Sequence, residues 1–202
     1  MAAQSSLKNM VLCLTAVCLV CAALLGGVYA LTYQPIQDAA QKALTESISQ
    51  VLPEGGQLSE VQYFDAEGID EYYTLTEDNE TVAYAVKSTT NGFGGPLTLM
   101  VGVLPDGTVY NTSVLSHSET PGLGAKCTTD ERFISQWQGL TPDNVLLVSK
   151  DGGDIDAITA STITSRAYTK AVKQAVDAVS AIQINVPAEE LPEMSEEGQT
   201  NE

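Results

Sequence analysis

DAITASTITSRA, residues 156–167, sets Thr159, Ser161, Thr162, Thr164 and Ser165 within seven positions, directly before a run, residues 168–181, whose apolar side chains recur at helical spacing. One Ser or Thr oxygen satisfies one or two of the free amides in a helix's first turn, so five hydroxyls exceed what capping needs. A helix N-terminus also presents free amides and the positive end of its dipole. A phosphate held at Thr162 is therefore the sharper reading of this stretch, and an over-capped helix start the plainer one. The run that follows predicts a closing helix with Ala167, Ala171, Val172, Ala175, Val176 and Val179 as its buried stripe.

Some forty residues upstream, SHSETPGLGAK at 116–126 holds the only histidine, a glutamate, a proline and two glycines, a composition suited to a shaped loop at a strand end. No G-x-S-x-G elbow supplies a nucleophile for that histidine, and one His among scattered carboxylates makes no recognisable metal-ligand spacing. Before this loop, NGFGGP at 91–96 is a glycine-rich turn. It reads either as a bent connection or as a place where backbone approaches a ligand. It feeds an apolar strand at 97–104, and Asp106-Gly107 turns that strand back into 108–116. Shorter β-like runs occupy 61–64, 72–76 and 81–87, with acidic turns between them. After the loop, Thr128 or Thr129 is expected to cap a short helix with Phe133, Ile134 and Trp137 on one face and Gly139 closing it. Trp137 reads as the apolar anchor of that helix rather than as a platform for a planar cofactor. Residues 145–149 predict one more strand and 150–154 a glycine-rich turn. The fold class is α+β: an antiparallel-rich sheet flanked by helices, over residues 54–186.

The N-terminal part is of another kind. Residues 9–37 contain no charge, and the apolar run 10–31 is long enough to span a bilayer at helical rise. Lys8 precedes it and Asp38 follows it, so residues 1–9 are expected in the cytoplasm and the domain outside, with Tyr29 and Tyr33 as interfacial anchors. Val28-Tyr29-Ala30 also obeys the small-residue cleavage pattern of a signal peptide, but the run exceeds the usual length of such a segment, which favours a retained anchor. Residues 32–53 predict a stalk helix with Pro35 at its first turn, Pro53 as its stop, and Ile36, Ala40, Ala43, Leu44, Ile48, Val51 and Leu52 as its stripe. Cys13, Cys18 and Cys21 fall within the span. Cys127 is left as the one cysteine of the soluble part, with no partner for an intramolecular disulfide. The net charge of -17 and the absence of a basic patch oppose nucleic-acid binding, and the tail 187–202, with six carboxylates and no base, reads as a solvated disordered end.

Taken together, HSETPGLG and DAITASTITSRA resemble the FMN-binding domain of the RnfG and NqrC subunits, which belong to the Rnf and Na+-translocating NADH:quinone oxidoreductase complexes. The resemblance extends over the N-terminal membrane helix, the stalk, the glycine turn with its strand and D-G hairpin, and both motifs. RnfG is the closer of the two, since this chain is short and carries no obvious insertions. In that family the last threonine of a D-x-x-[ST]-G-A-[ST] motif carries FMN through a phosphodiester, transferred from FAD by a separate Mg2+-dependent flavin transferase.

Laid on this sequence, the resemblance makes Asp156 the motif's acid, Thr159 its first hydroxyl residue and Thr162 the attachment point, with Thr159 and Thr164 as backup acceptors. Ser161, Ile163 and Thr164 complete the flavin end of the helix, and Arg166 gains a role as partner of the phosphate. The loop residues His117, Glu119, Thr120, Pro121, Gly122, Leu123 and Gly124 would lie beside the isoalloxazine ring, Thr120 and backbone amides touching it, Leu123 packing on it and Lys126 adding positive charge. Two positions depart from the family pattern: Ala160 stands where Gly is usual and Ser161 where Ala is usual. A positive φ at position 160 would cost Ala roughly 1 kcal/mol.

The implied function is that of the G subunit of a membrane-bound, ion-translocating Rnf complex of the ferredoxin:NAD+ oxidoreductase type. Such a subunit passes electrons through covalent FMN between other membrane subunits and itself breaks no substrate bond. It would sit as a single-pass protein of the cell (inner) membrane, matured by an FAD:protein FMN transferase. The alternatives are an FMN-binding carrier for other extracytoplasmic electron transfer, and a non-redox, membrane-anchored binding module.

Overall fold

The computed structural model describes residues 7–185 and separates the chain into two units, Met1–Glu46 and Ser47–Glu202. The expected acidic tail at 187–202 lies outside the described residues, as do residues 1–6 of the expected cytoplasmic segment.

The first unit consists of helix α1 (Leu7–Val51) up to Glu46, and this helix is long and apolar enough to cross a membrane. Leu12, Leu25 and Leu31 are among the apolar side chains it leaves exposed, a surface that suits hydrocarbon rather than water. Pro35 lies inside α1 rather than at the first turn of a separate stalk helix, so the boundary expected at residue 32 is not a break in secondary structure. The physical reason is local. A proline removes one backbone hydrogen bond, and neither Tyr33 nor Gln34 before it offers the short polar side chain that would end one helix and cap the next.

In the second unit six strands, β1 (Gln57–Leu58), β2 (Gln62–Ala66), β3 (Ile69–Glu77), β4 (Glu80–Asn91), β5 (Pro96–Val103) and β6 (Val109–His117), form one antiparallel sheet in the order β1-β3-β4-β5-β6, with β2 also on β3. The strands expected between residues 61 and 116 are all present, mostly longer than their apolar runs, and β1 is an addition. Asp78 and Asn79 both take positive φ between paired Glu77 and Glu80, the two-residue turn that suits the twist of a hairpin. At the next hairpin Asp106 accepts from the Thr108 amide and Gly107 takes φ 84°, so the expected D-G turn forms.

Strand β5 is apolar on both faces because both are covered. Leu97, Leu99, Val101 and Val103 enter the main core, while Gly102 faces the last turn of α1, where a Cβ would overlap the Val51 carbonyl. Ser47, Ile48 and Val51 are buried there, and Gln50 holds the turn in place through bonds with Asn111 and Ser113. The main core is closed by helix α3 (Thr162–Asn185). Its Ala167, Ala171, Ala175 and Ala178 are small enough to bring the helix close to the sheet, and of the expected stripe only Val176 is no more than partly buried.

Helix α2 (Glu131–Ser135) is capped by Asp130, whose side chain accepts from the Arg132 amide, and not by Thr128 or Thr129. Thr128 instead donates to the Ala125 carbonyl. Trp137 is fully buried, stacked on Tyr168 at 4.8 Å between ring centroids, with Phe133 edge-on to both. It is the apolar anchor read from the sequence. The strand expected at 145–149 does not form. Asp154 accepts from the Val145 amide, the Leu147 amide curls back onto the Val145 carbonyl, and a single parallel bridge joins Val148 to Ile155.

Candidate functional site

The site is built where the end of β6, the β4–β5 turn and the start of α3 come together. Strand β6 stops at His117, and a tight 3-10 turn, Gly124–Thr128, leads the chain away after the loop. Between them the Glu119 side chain is buried, 5% exposed, and it is the point at which the three segments meet. One carboxylate oxygen accepts from the Phe93 amide at 2.8 Å and the Gly94 amide at 3.4 Å, and the other accepts from the Thr164 hydroxyl at 2.8 Å. Buried carboxylates need such donors, because burial strips away the water that would otherwise solvate them.

Glycine makes the convergence possible. A Cβ at Gly92 or Gly124 would overlap the Glu119 carboxylate, and one at Gly94 would overlap the Ser118 carbonyl. The glycine-rich turn does bring backbone close to an anion, but that anion is the chain's own glutamate. Glu119 therefore acts as a brace for the loop. Its amide in turn donates to His117 Nδ1 at 3.2 Å, which fixes that nitrogen as an acceptor. Beneath the loop Cys127 is buried, and burial together with the nearby Glu119 charge pushes its thiol up to about 11. It is a protonated, inert thiol at neutral pH.

Thr120, Pro121, Gly122 and Leu123 form the exposed crest of the loop, with the Leu123 and Ala125 amides both turned back onto the Thr120 carbonyl. Gly122 takes φ 77° with open space around it. Large apolar side chains are exposed in all three segments: Phe93 at 68%, Leu123 at 45% and Ile163 at 51%. Phe93 was not among the residues singled out from the sequence.

At the helix entrance the hydroxyls divide their work. Ser165 Oγ donates to the Ser161 carbonyl and accepts from the Ile158 amide, while Thr169 donates to the Ser165 carbonyl. Thr164 is spent on Glu119. Ser161 Oγ is buried with no hydrogen-bond partner among the described residues, and Thr162, the first residue of α3, is half-buried. Ala160 takes φ 61°, a left-handed conformation that glycine would adopt without strain.

Asp156 is turned toward Gln136, to whose side chain its amide donates, and toward Ser149, whose hydroxyl donates to its carboxylate at 3.4 Å. Thr159 is exposed. Arg166, expected to face a phosphate, closes its fork on Asp151 instead, with contacts of 2.6 and 2.7 Å that hold the Asp151 carboxyl below its ordinary range. The cation that reaches Thr162 is Lys150, whose Nζ lies 3.2 Å from the threonine Oγ1. Nothing in the spacing of the sequence signals it, because the contact depends on the 3-10 turn Ser149–Asp151 folding back beside the helix start.

A model of the FMN-binding domain matches residues 92–177, and one of the RnfG N-terminal region matches residues 1–51. The G subunit of the proton-translocating ferredoxin:NAD(+) oxidoreductase complex of Clostridium ljungdahlii is 35% identical over 181 residues, covering 88% of this chain and 94% of that protein. The G subunit of the ion-translocating oxidoreductase complex of Pasteurella multocida is 36% identical over 179 residues, covering 80% and 87%. Among solved structures, Shewanella oneidensis NqrC aligns over 60% of this chain and 69% of its own, at 19% identity and a TM-score of 0.42. With a third of its residues identical over nearly the full length of these relatives, the chain belongs to the RnfG family, the G subunits of ion-translocating oxidoreductase complexes, and contains its FMN-binding domain.

Proposed function

We propose that this chain carries FMN through a phosphodiester to Thr162 and passes electrons as the G subunit of a membrane-bound Rnf complex of the ferredoxin:NAD+ oxidoreductase type. The observation that supports it best is the 2.8 Å bond from Thr164 to Glu119, which locks the His117–Gly124 loop onto the turn of helix that begins with Thr162. The residues present fit the group. A half-buried hydroxyl stands at the amide end of a 24-residue helix, beside a buried Ser161 Oγ that lacks a partner among the described residues, and exposed Phe93, Leu123 and Ile163 offer apolar cover for a flat ring.

FMN, when bound, supplies the electron-transfer chemistry. The chain's own residues hold and orient it. In this reading Thr162 Oγ1 bears the phosphoryl group, Ser161 and the first amides of α3 surround it, and the crest Thr120–Leu123 borders the ring. Glu119, Gly124, Thr164 and Asp156 shape the loops that carry these contacts, and His117 buttresses Glu119. The left-handed Ala160 sets the entry of the chain into the helix. An FAD:protein FMN transferase installs the cofactor, α1 anchors the chain in the cell membrane with residues 1–9 cytoplasmic, and residues 54–186 form the domain that faces the other membrane subunits outside.

The test is the full chain produced with and without the transferase. A yellow, ultraviolet-fluorescent band that survives denaturing electrophoresis, appears only with the transferase and is lost in Thr162→Ala supports the proposal. A colourless wild-type band, or fluorescence that persists in Thr162→Ala, overturns it.

A further inference from the structure

We propose that Lys150 is the working cation of the Thr162 site, drawing the threonine hydroxyl toward the anion during attachment and neutralising the phosphodiester afterwards; this rests on the covalent reading above. Three observations carry it. Lys150 Nζ donates to Thr162 Oγ1 at 3.2 Å, so the ammonium already addresses the oxygen that would become the ester oxygen. Arg166, the other base at this helix end, is held by Asp151 in a two-pronged pair. The buried Ser161 Oγ, next in the chain to Thr162, has no hydrogen-bond partner among the described residues. A lone helix terminus would not distinguish a phosphate site from a cap, whereas a lysine aimed at one specific hydroxyl does.

The turn that presents Lys150 is fixed by its own bonds. The Ser149 amide donates to the Ile155 carbonyl at 2.7 Å, and Gly153 returns to the Val148 carbonyl at 3.2 Å. Gly152 ends the 3-10 turn in the left-handed conformation. The lysine is thus delivered by backbone geometry and not by a long flexible loop. The chain as a whole repels an anion, with 26 acidic residues against 9 basic ones, so local positive charge decides whether a phosphate can settle here.

The step balances without any further reagent. Thr162 Oγ1 bonds to the phosphorus of the FMN half of FAD, the bond from that phosphorus to the bridging oxygen breaks, and AMP leaves with that oxygen. The hydroxyl proton passes to a base of the transferase or to water. An ammonium donating to Oγ1 favours the negative charge that gathers on this oxygen as its proton departs. The same donor then lies beside the single charge of the diester.

The experiment follows incorporation over time in the full chain co-expressed with the transferase, by in-gel fluorescence and intact mass, for wild type, Lys150→Ala, Lys150→Arg, Arg166→Ala and Thr162→Ala. Lys150→Ala is expected to slow incorporation about tenfold or more, as the loss of a charge-assisted donor does. Lys150→Arg should restore it to within about threefold, because the charge is kept while its shape changes. Arg166→Ala should slow it less than Lys150→Ala. Thermal unfolding of Lys150→Ala should stay within about 2 °C of wild type, since the side chain is exposed, which separates a charge effect from misfolding. Incorporation into Lys150→Ala at the wild-type rate, or a Lys150→Arg variant no faster than Lys150→Ala, overturns the role of Lys150 and leaves attachment at Thr162 standing. Label retained in Thr162→Ala overturns the attachment itself and the lysine's role with it.

Discussion

The Thr164 hydroxyl donates to the Glu119 carboxylate at 2.8 Å across 45 positions of sequence, and this bond is where the two unusual stretches of the chain become one site. The carboxylate is satisfied by two backbone amides and one hydroxyl, with no cation among these partners. The donors come from two local devices: a glycine turn for the amides and a helix entrance for the hydroxyl. The arrangement holds only while all three segments stay closed around it.

Glu119→Ala should therefore destabilise the domain strongly, by about 3 kcal/mol or more, because it leaves buried donors unpaired and opens a cavity. Glu119→Gln should lose less, since its carbonyl oxygen still accepts from the Phe93 and Gly94 amides and the Thr164 hydroxyl can rotate to accept from the new amide group. Chemical denaturation of the full chain in detergent, followed by the emission of Trp137, the single tryptophan, measures both. Equal losses in the two variants would contradict the brace.

Ala160 at φ 61° carries backbone strain that glycine would not. Replacing it relieves about 1–2 kcal/mol of steric cost and gives back about half of that through the freer unfolded chain, so Ala160→Gly should gain about 0.5–1 kcal/mol. A rise of about 2–3 °C in Tm is the expected reading for a domain of this size. The residue is exposed, so no lost contact confuses the result.

Trp137 is fully buried and stacked on Tyr168, although its Nε1 has no acceptor among the described residues. Trp137→Phe keeps an aromatic ring against Tyr168 and removes that unpaired donor. It should lose less than half of what Trp137→Ala loses, the latter being about 3–5 kcal/mol. Circular dichroism on heating, with Tm as the measure, separates the two.

The legible parts of this chain were those whose cause is local. The β-like run at 81–87, the continuous apolar run of β5 and the D-G turn each follow from a few neighbouring residues, and they formed as read. Strand β4 is nevertheless buried on both faces at residues 83–86, where Val82, Tyr84 and Val86 alone would suggest a half-buried strand. The misread parts depend on what meets what. Residues 145–149 look like a strand, yet Asp154 takes the Val145 amide and no neighbouring strand claims the rest. Asp130 outcompetes two threonines as the cap of α2 because it alone stands one place before the helix. At the site, both motifs were visible as composition and through their family resemblance. Lys150 and the pairing of Arg166 with Asp151 were not, since each is fixed by how a distant turn folds back rather than by any spacing along the chain.

Cys127 makes the alkaline limb of stability testable. Burial and the Glu119 charge raise its folded pKa from 9.0 to about 11, so above the unfolded value the unfolded chain releases a proton that the folded chain keeps. The stabilisation is complete below pH 9, declines as the pH rises from there, and is gone by about pH 11. Tyr168, raised in the same sense by burial, extends the decline further upward. Tm measured from pH 7 to about 10.5 should fall for wild type, and the fall should be shallower in Cys127→Ala, which lacks the group. The comparison isolates one residue from the lysines and tyrosines that titrate over the same range, because both proteins share them. A second measurement has the opposite dependence on folding: a thiol reagent at about pH 8 should leave Cys127 unmodified in the native chain and react with it once denaturant is added. Parallel Tm curves for the two proteins, together with rapid native modification, would show a thiol that is neither buried nor raised.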